Sequence, residues 1–205
     1  PVVGVISSSE VYGQVLPSEV PIKENCPLRP ASPYAVSKVC EDMLGYQYWL
    51  SWGIKVVRSR MFSHCGPRRG YVFAESNFAR QIAMIEKGIQ EPIVKVGNLD
   101  SIRTFADVRD VVRAYWLMVN KCPPGEVYNI GGNTTMSVRD MLNKLISMST
   151  CTNIGIEVEE DRLRPSDVTL QIPDPSKFKS VTGWEPQIKF EQTLLDMLNY
   201  WRELV

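Results

Sequence analysis

The sequence predicts an α/β protein: part of a parallel sheet, joined to a smaller α/β unit completed by the C-terminal residues. Three observations carry this. Residues 2–6 are a short continuous apolar run ending in serines, which fits an interior parallel strand covered on both faces. Helical periodicity over 34–52 is followed, across Gly53, by a second strand-like stretch at 54–62, as a strand–helix–strand unit requires. The same alternation of strand and helix continues to the C-terminus.

The elements follow in order. After the first strand comes Ser7-Ser8-Ser9-Glu10-Val11-Tyr12-Gly13. In open α/β sheets ligands bind beyond the carboxyl ends of strands, so Ser8, Ser9 and Glu10 stand where chemistry is expected. Residues 14–33 carry Pro17, Pro21, Pro27, Pro30 and Pro33, a density that excludes regular structure and predicts a long stiff loop back to Tyr34. Pro33 suits a helix start. Val36, Val39, Cys40, Met43, Leu44 and Tyr46 supply the helix's apolar positions. Beyond the second strand, Ser63-His64-Cys65-Gly66-Pro67-Arg68-Arg69-Gly70 reads as a basic loop at another carboxyl end, and arginine's planar fork suits phosphate. A helix is expected over 75–88, a short strand over 92–96, a turn at 97–100 and extended chain at 102–105. Asp107 can cap a helix to about Val119. A strand and glycine turn at 126–132 precede a helix opened by Ser137. A strand at 154–158, a polar loop at 162–167, a short helix from Asp174 to near Gly183 and a last helix at 190–204 complete the chain.

Composition narrows the function. Hydrophobic residues make up 44% and charged ones 22%, as in an ordinary soluble domain. The 205 residues suit one domain or two small ones. Twenty-three basic and 23 acidic residues give a net charge of +0, with no Lys/Arg run, which argues against nucleic acid as a partner. No apolar run reaches the roughly 18 residues of a membrane span. Residues 1–6 lack a basic stretch ahead of the apolar run, so they read as a strand rather than a secretion signal. Cys26, Cys40, Cys65, Cys122 and Cys151 are scattered, and His64 is the only histidine, so no metal site is expected. Reduced thiols place the protein in the cytoplasm. A Ser-His-Asp or Cys-His hydrolase would have to use His64, and no G-x-S-x-G elbow accompanies it.

The chemistry centres on Tyr34 and Lys38. Four residues apart on a helix, they share one face. A tyrosine, with its ordinary pKa near 10, is a poor base at neutral pH, and a neighbouring ammonium favours the phenolate. Alone, the spacing is common and more often marks a surface tyrosine and a solvated lysine.

The combined pattern resembles the extended short-chain dehydrogenase/reductase family of nucleotide-sugar enzymes, the NAD-dependent epimerases and dehydratases. It is carried by the Ser7–Gly13 stretch, Leu28-Arg29-Pro30-x-Ser32-Pro33-Tyr34-x-x-x-Lys38, Gly97-Asn98-Leu99-Asp100-x-x-Arg103, Asp107-Val108-Arg109-Asp110 and Arg164-Pro165-Ser166-Asp167, in the family's order along nearly the whole chain. The resemblance implies a Rossmann-like sheet whose Gly-rich amino-terminal half is not in this sequence, so the chain is expected to be the carboxy-terminal part of a longer enzyme. Residues 1–62 with about 107–132 would be the remainder of the NAD(P)-binding domain. About 63–106 with 133–205 would form the nucleotide-sugar domain.

The resemblance also implies roles. Within the family the branch acting on GDP-mannose, a 4,6-dehydratase, matches best. Tyr34 would be the acid–base at the sugar 4-hydroxyl, and Lys38 would hold the nicotinamide ribose. Ser8, where these enzymes usually carry threonine, would bond the 4-oxygen, and Glu10 would take the C5 proton and help expel water from C6. Tyr34, Lys38, His64 and Arg69 would contact NADP, or NAD, with Arg69 reaching a neighbouring subunit's cofactor in a dimer or tetramer. Ser63, Arg103, Arg164 and Asp167 would bind the GDP-sugar, the two arginines at its diphosphate. Ser63 replaces an asparagine, Asp167 a glutamate, and Thr104 the usual aspartate after Arg103. The alternatives are a reductase of the 4-keto sugar, favoured by the Glu10-to-Tyr34 spacing and Val96-Gly97-Asn98-Leu99, another nucleotide-sugar epimerase or dehydratase, and an inactive fragment or sugar-nucleotide binding module without catalysis.

Overall fold

The computed structural model describes residues 1–162 and 168–205. In chain order its elements are β1 (Val3–Ser8), α1 (Pro33–Trp52), β2 (Val56–Met61), β3 (His64–Cys65), α2 (Ala74–Glu86), β4 (Ile93–Val96), β5 (Ile102–Asp107), α3 (Val108–Lys121), β6 (Val127–Ile130), β7 (Thr134–Ser137), α4 (Val138–Ser147), β8 (Gly155–Val158), β9 (Leu170–Gln171), α5 (Ser176–Thr182) and α6 (Phe190–Leu204). Strands β1, β2 and β6 form one parallel sheet in that order. In a second sheet β7 runs antiparallel along β5, while β9 and β3 pair in parallel with its first and last two residues. A third, two-stranded sheet pairs β4 with β8. The α/β class is the one expected.

Among the described residues β1 pairs only with β2. Its apolar run reflects its two faces. Val5 packs on α1, and a Cβ at Gly4 would meet Met118 of α3 at 3.0 Å. Helix α1 lies otherwise than its pattern suggested. Its buried residues are the small Ala35 and Gly45 with Asp42, while Val36, Met43, Leu44 and Tyr46 are exposed. A Cβ at Gly45 would lie 2.9 Å from Val5 and 3.2 Å from Val56, so small side chains let the helix approach the sheet closely. A further difference is that His64 and Cys65 are a short strand rather than part of a basic loop.

The helix ends follow local chemistry. Ser32 Oγ accepts from Ala35 N at 3.1 Å, Pro33 occupies the first turn, and Gly53 closes α1 at φ +64 with its N–H on Trp49 O. Asp107, the expected cap, accepts from Arg109 N at 2.7 Å and starts α3. Ser137 caps α4 in the same way. One core packs α2, α4 and α6 against β4 and β5, and includes Phe78, Ile82, Leu142, Leu145 and Leu194. Another joins β2 and β6 to α3 and α5 through Val57, Met118, Tyr128, Ile130 and Phe178.

Candidate active site

The site forms where β1 ends. Ser8 leaves the strand and caps a 3₁₀ turn, Ser9–Tyr12, its Oγ accepting from Glu10 N at 3.2 Å. That bond uses a lone pair and leaves the hydroxyl proton for a ligand. Gly13 closes the turn at φ +60, and a Cβ there would meet Arg29 O at 1.7 Å, so no other residue fits. Arg29 N returns a bond to Val11 O at 3.0 Å, and the Arg29 side chain pairs with Glu19. The proline-rich loop is thereby stitched to the turn it leaves, and it delivers the chain to α1 as expected, with a single short 3₁₀ turn at Pro17–Glu19.

Lys38 ties α1 to the same strand. Its ammonium donates to Ile6 O at 2.9 Å and pairs with Glu41 at 2.6 Å, and Ser7 Oγ donates to Lys38 O at 3.2 Å. Tyr34, one turn earlier, is 54% exposed, which leaves its phenol open to a ligand. The helix is anchored deeper by Asp42, fully buried, which receives Arg58 and Arg60 of β2 at 2.7 Å each. Arg60 also donates to Tyr12 OH at 3.1 Å, and that hydroxyl donates to Asn129 Oδ1 at 2.7 Å. Burial pushes the Tyr12 phenol up to about 12, so it stays protonated and structural.

Glu10 is met from the second sheet. Gln171 Nε2 donates to its Oε1 at 3.2 Å, and Arg103 approaches the same oxygen at 3.8 Å. Arg103 and Gln171 are register partners on β5 and β9. Thr104, which replaces an aspartate of the resembled enzymes, is buried and bonded through Oγ1 to Thr135 Oγ1 at 2.7 Å, so it closes the sheet rather than facing a substrate.

Ser63 follows β2, and its carbonyl accepts from Ala106 N at 3.0 Å. His64 Nδ1 lies 3.0 Å from Phe62 O; a carbonyl can only accept, so Nδ1 carries the proton and Nε2 is an acceptor. Burial, helped by Arg69, lowers its pKa and keeps the ring neutral at pH 7. Burial likewise raises the Cys65 thiol well above its ordinary value, which removes it as a thiolate nucleophile. Arg69 pairs with Glu75 at 2.6 Å and lies 3.7 Å over the Phe73 ring, so within this chain its guanidinium already has partners. Arg164 and Asp167 lie outside the described residues. The structure thus gathers Ser8, Glu10, Lys38 and Arg103 at one sheet end, with Tyr34 on the adjoining helix turn. Glu41, Asp42 and Gln171 are additions that sequence reasoning missed.

A parallel sheet ending in a serine–glutamate turn beside a Tyr-x-x-x-Lys helix defines the class, that of the NAD-dependent epimerases and dehydratases of nucleotide sugars. The family model for GDP-mannose 4,6 dehydratase matches residues 3–197, and the chain belongs to that family. It is 33% identical to the GDP-6-deoxy-D-mannose reductase of Pseudomonas aeruginosa over 98% of its own length and 66% of the relative's. It is 30% identical to the GDP-mannose 4,6-dehydratase of Yersinia enterocolitica, over 94% of this chain and 58% of that one. Among solved structures it superposes on Pseudomonas aeruginosa RMD complexed with NADPH, with a TM-score of 0.92 and 32% identity over 98% of this chain and 67% of that one. Against dTDP-glucose 4,6-dehydratase of Bacillus anthracis in complex with NAD the TM-score is 0.87 at 25% identity, over 98% of this chain and 62% of that one. The chain therefore spans about three-fifths to two-thirds of these relatives' lengths.

Proposed function

We propose that the protein acts as a GDP-mannose 4,6-dehydratase with NADP, NAD being the alternative dinucleotide. The observation that carries this is Glu10: a carboxylate beside Ser8 at the end of β1, on the sheet end that Lys38 and Arg103 also reach. Reduction of a 4-keto sugar needs no base at C5, whereas loss of water across C5 and C6 does. Tyr34 takes the 4-hydroxyl proton while hydride leaves C4, and Ser8 holds the 4-oxygen. Glu10 removes the C5 proton, made acidic by the new 4-ketone, and passes it to the C6 hydroxyl, which departs as water. Bound NADP would supply the acceptor for the C4 hydride and return it to C6. A proton then goes back to C5, so the net change is loss of one water.

The residues present fit the nicotinamide-ribose end of a dinucleotide: an exposed phenol, the Lys38 ammonium and His64 with Nε2 as acceptor. Arg69 would serve a neighbouring subunit's cofactor once released from Glu75. Ser63, Arg103, Arg164 and Asp167 would hold the GDP-sugar. We assign residues 1–62 and about 107–132 to the dinucleotide-binding domain. The β1–β2–β6 sheet drawn from those stretches supports this, and about 63–106 with 133–205 would form the substrate domain. A dimer or tetramer is proposed. No helix among the described residues is long and apolar enough to cross a membrane. The cytoplasm is the proposed location, supported by five free cysteines.

The second reading is a 4-keto sugar reductase, favoured by the likeness to the Pseudomonas aeruginosa reductase. Incubating the full-length protein with GDP-mannose and no added NADPH separates the two. Accumulation of the 4-keto-6-deoxy product supports the dehydratase; turnover of the 4-keto sugar alone, with NADPH consumed, sinks it.

A further inference from the structure

We propose that Gln171 is a positioning residue of this site, holding one carboxylate oxygen of Glu10 so that the other is presented as the base. Gln171 is 2% exposed, in a strand of two residues. Its side chain bridges two residues of the turn after β1. Oε1 accepts from Ser9 Oγ at 2.9 Å, and Nε2 donates to Glu10 Oε1 at 3.2 Å. A carboxylate only accepts, so the amide must turn its N–H to Glu10 and its carbonyl to Ser9, which is itself buried. The bridge has one orientation. Arg103, paired with Gln171 in the strand register, approaches the same Oε1 at 3.8 Å, so both contacts converge on one oxygen and leave Oε2 to take the proton.

The backbone explains why this strand can steer the turn. Just beyond β9, Ile22 N donates to Ile172 O and Asp174 N to Ile22 O, each at 2.8 Å, joining this strand to the loop that runs from Glu10 to Tyr34. Gln171 therefore couples the second sheet to the carboxylate. That Glu10 acts as the C5 base rests on the dehydratase reading; that Gln171 fixes its geometry does not.

Two experiments on the full-length protein separate these claims. The first needs no substrate. Gln171→Glu sets two carboxylates against each other, so the melting temperature falls by about 3–8 °C at pH 7. The double variant Glu10→Gln with Gln171→Glu restores one donor and one acceptor, and so restores the melting temperature at pH 7. If the two changes instead add independently, the proposal is overturned. The second is kinetic. Gln171→Leu lowers kcat about 10-fold with KM within about 2-fold. Reduced cofactor accumulates during turnover, because oxidation at C4 continues while proton removal at C5 slows. Wild-type kcat in Gln171→Leu, or a loss without accumulation of reduced cofactor, contradicts positioning. If the wild-type protein leaves GDP-mannose untouched, the dehydratase reading fails, and the thermal cycle still decides whether Gln171 holds Glu10.

Discussion

Tyr34 and Glu10 divide the proposed reaction between them, and each makes its own prediction. Tyr34→Phe keeps the ring and removes the proton carrier, so kcat falls by about 10²–10⁴-fold while GDP-sugar affinity, read by calorimetry, changes little. Glu10→Gln keeps the shape and removes the base. The enzyme then oxidises C4 and stops, so absorbance of reduced cofactor persists with no 4-keto-6-deoxy product; full dehydration by that variant would remove Glu10 from the mechanism. These residues were legible because the spacing of Tyr34 and Lys38 and the serine–glutamate turn are local patterns. Gln171 was not, because it reaches Glu10 from 161 positions away on a two-residue strand with no periodicity.

Helix α1 shows where pattern reading goes astray. Its apolar periodicity pointed to the wrong face, because the sheet is met by Ala35, Gly45 and a buried acid instead. Asp42 pairs with both Arg58 and Arg60, so Asp42→Ala removes the carboxylate from two buried guanidinium groups and costs about 3–5 kcal/mol in a urea titration. Strands β7 and β9 escaped notice because two to four residues without alternation cannot be told from loop, whereas α6 and the helix starts at Asp107 and Ser137 were plain. A second element-scale prediction concerns acid. Arg202 on α6, with Ser149 and Thr150, holds Glu86 of α2 down to about 2 from its ordinary 4.5. A carboxyl lowered in the folded state stabilises fully above its unfolded value, and that contribution fades as pH drops from about 4.5 to 2. Arg202→Gln should therefore cost on the order of 1–2 kcal/mol at pH 7 and almost nothing at pH 2, as read by thermal melts across that range.

Across the molecule, the first sheet supplies Ser8 and Glu10 and the helix bearing Tyr34 and Lys38, while the second supplies Arg103 and Gln171. The α/β alternation made the architecture readable in advance. The apolar run of β1 was readable too, since the strand is packed on both faces, by α1 through Val5 and by α3 at Gly4. The central claim is that one site removes hydride from C4, water from C5 and C6, and returns the same hydride to C6. GDP-mannose carrying deuterium at C4, turned over by the full-length protein without added NADPH, tests it most directly. The account predicts a 4-keto-6-deoxy product with the deuterium at C6. Product without deuterium at C6, or no product until NADPH and a 4-keto sugar are supplied, would contradict it.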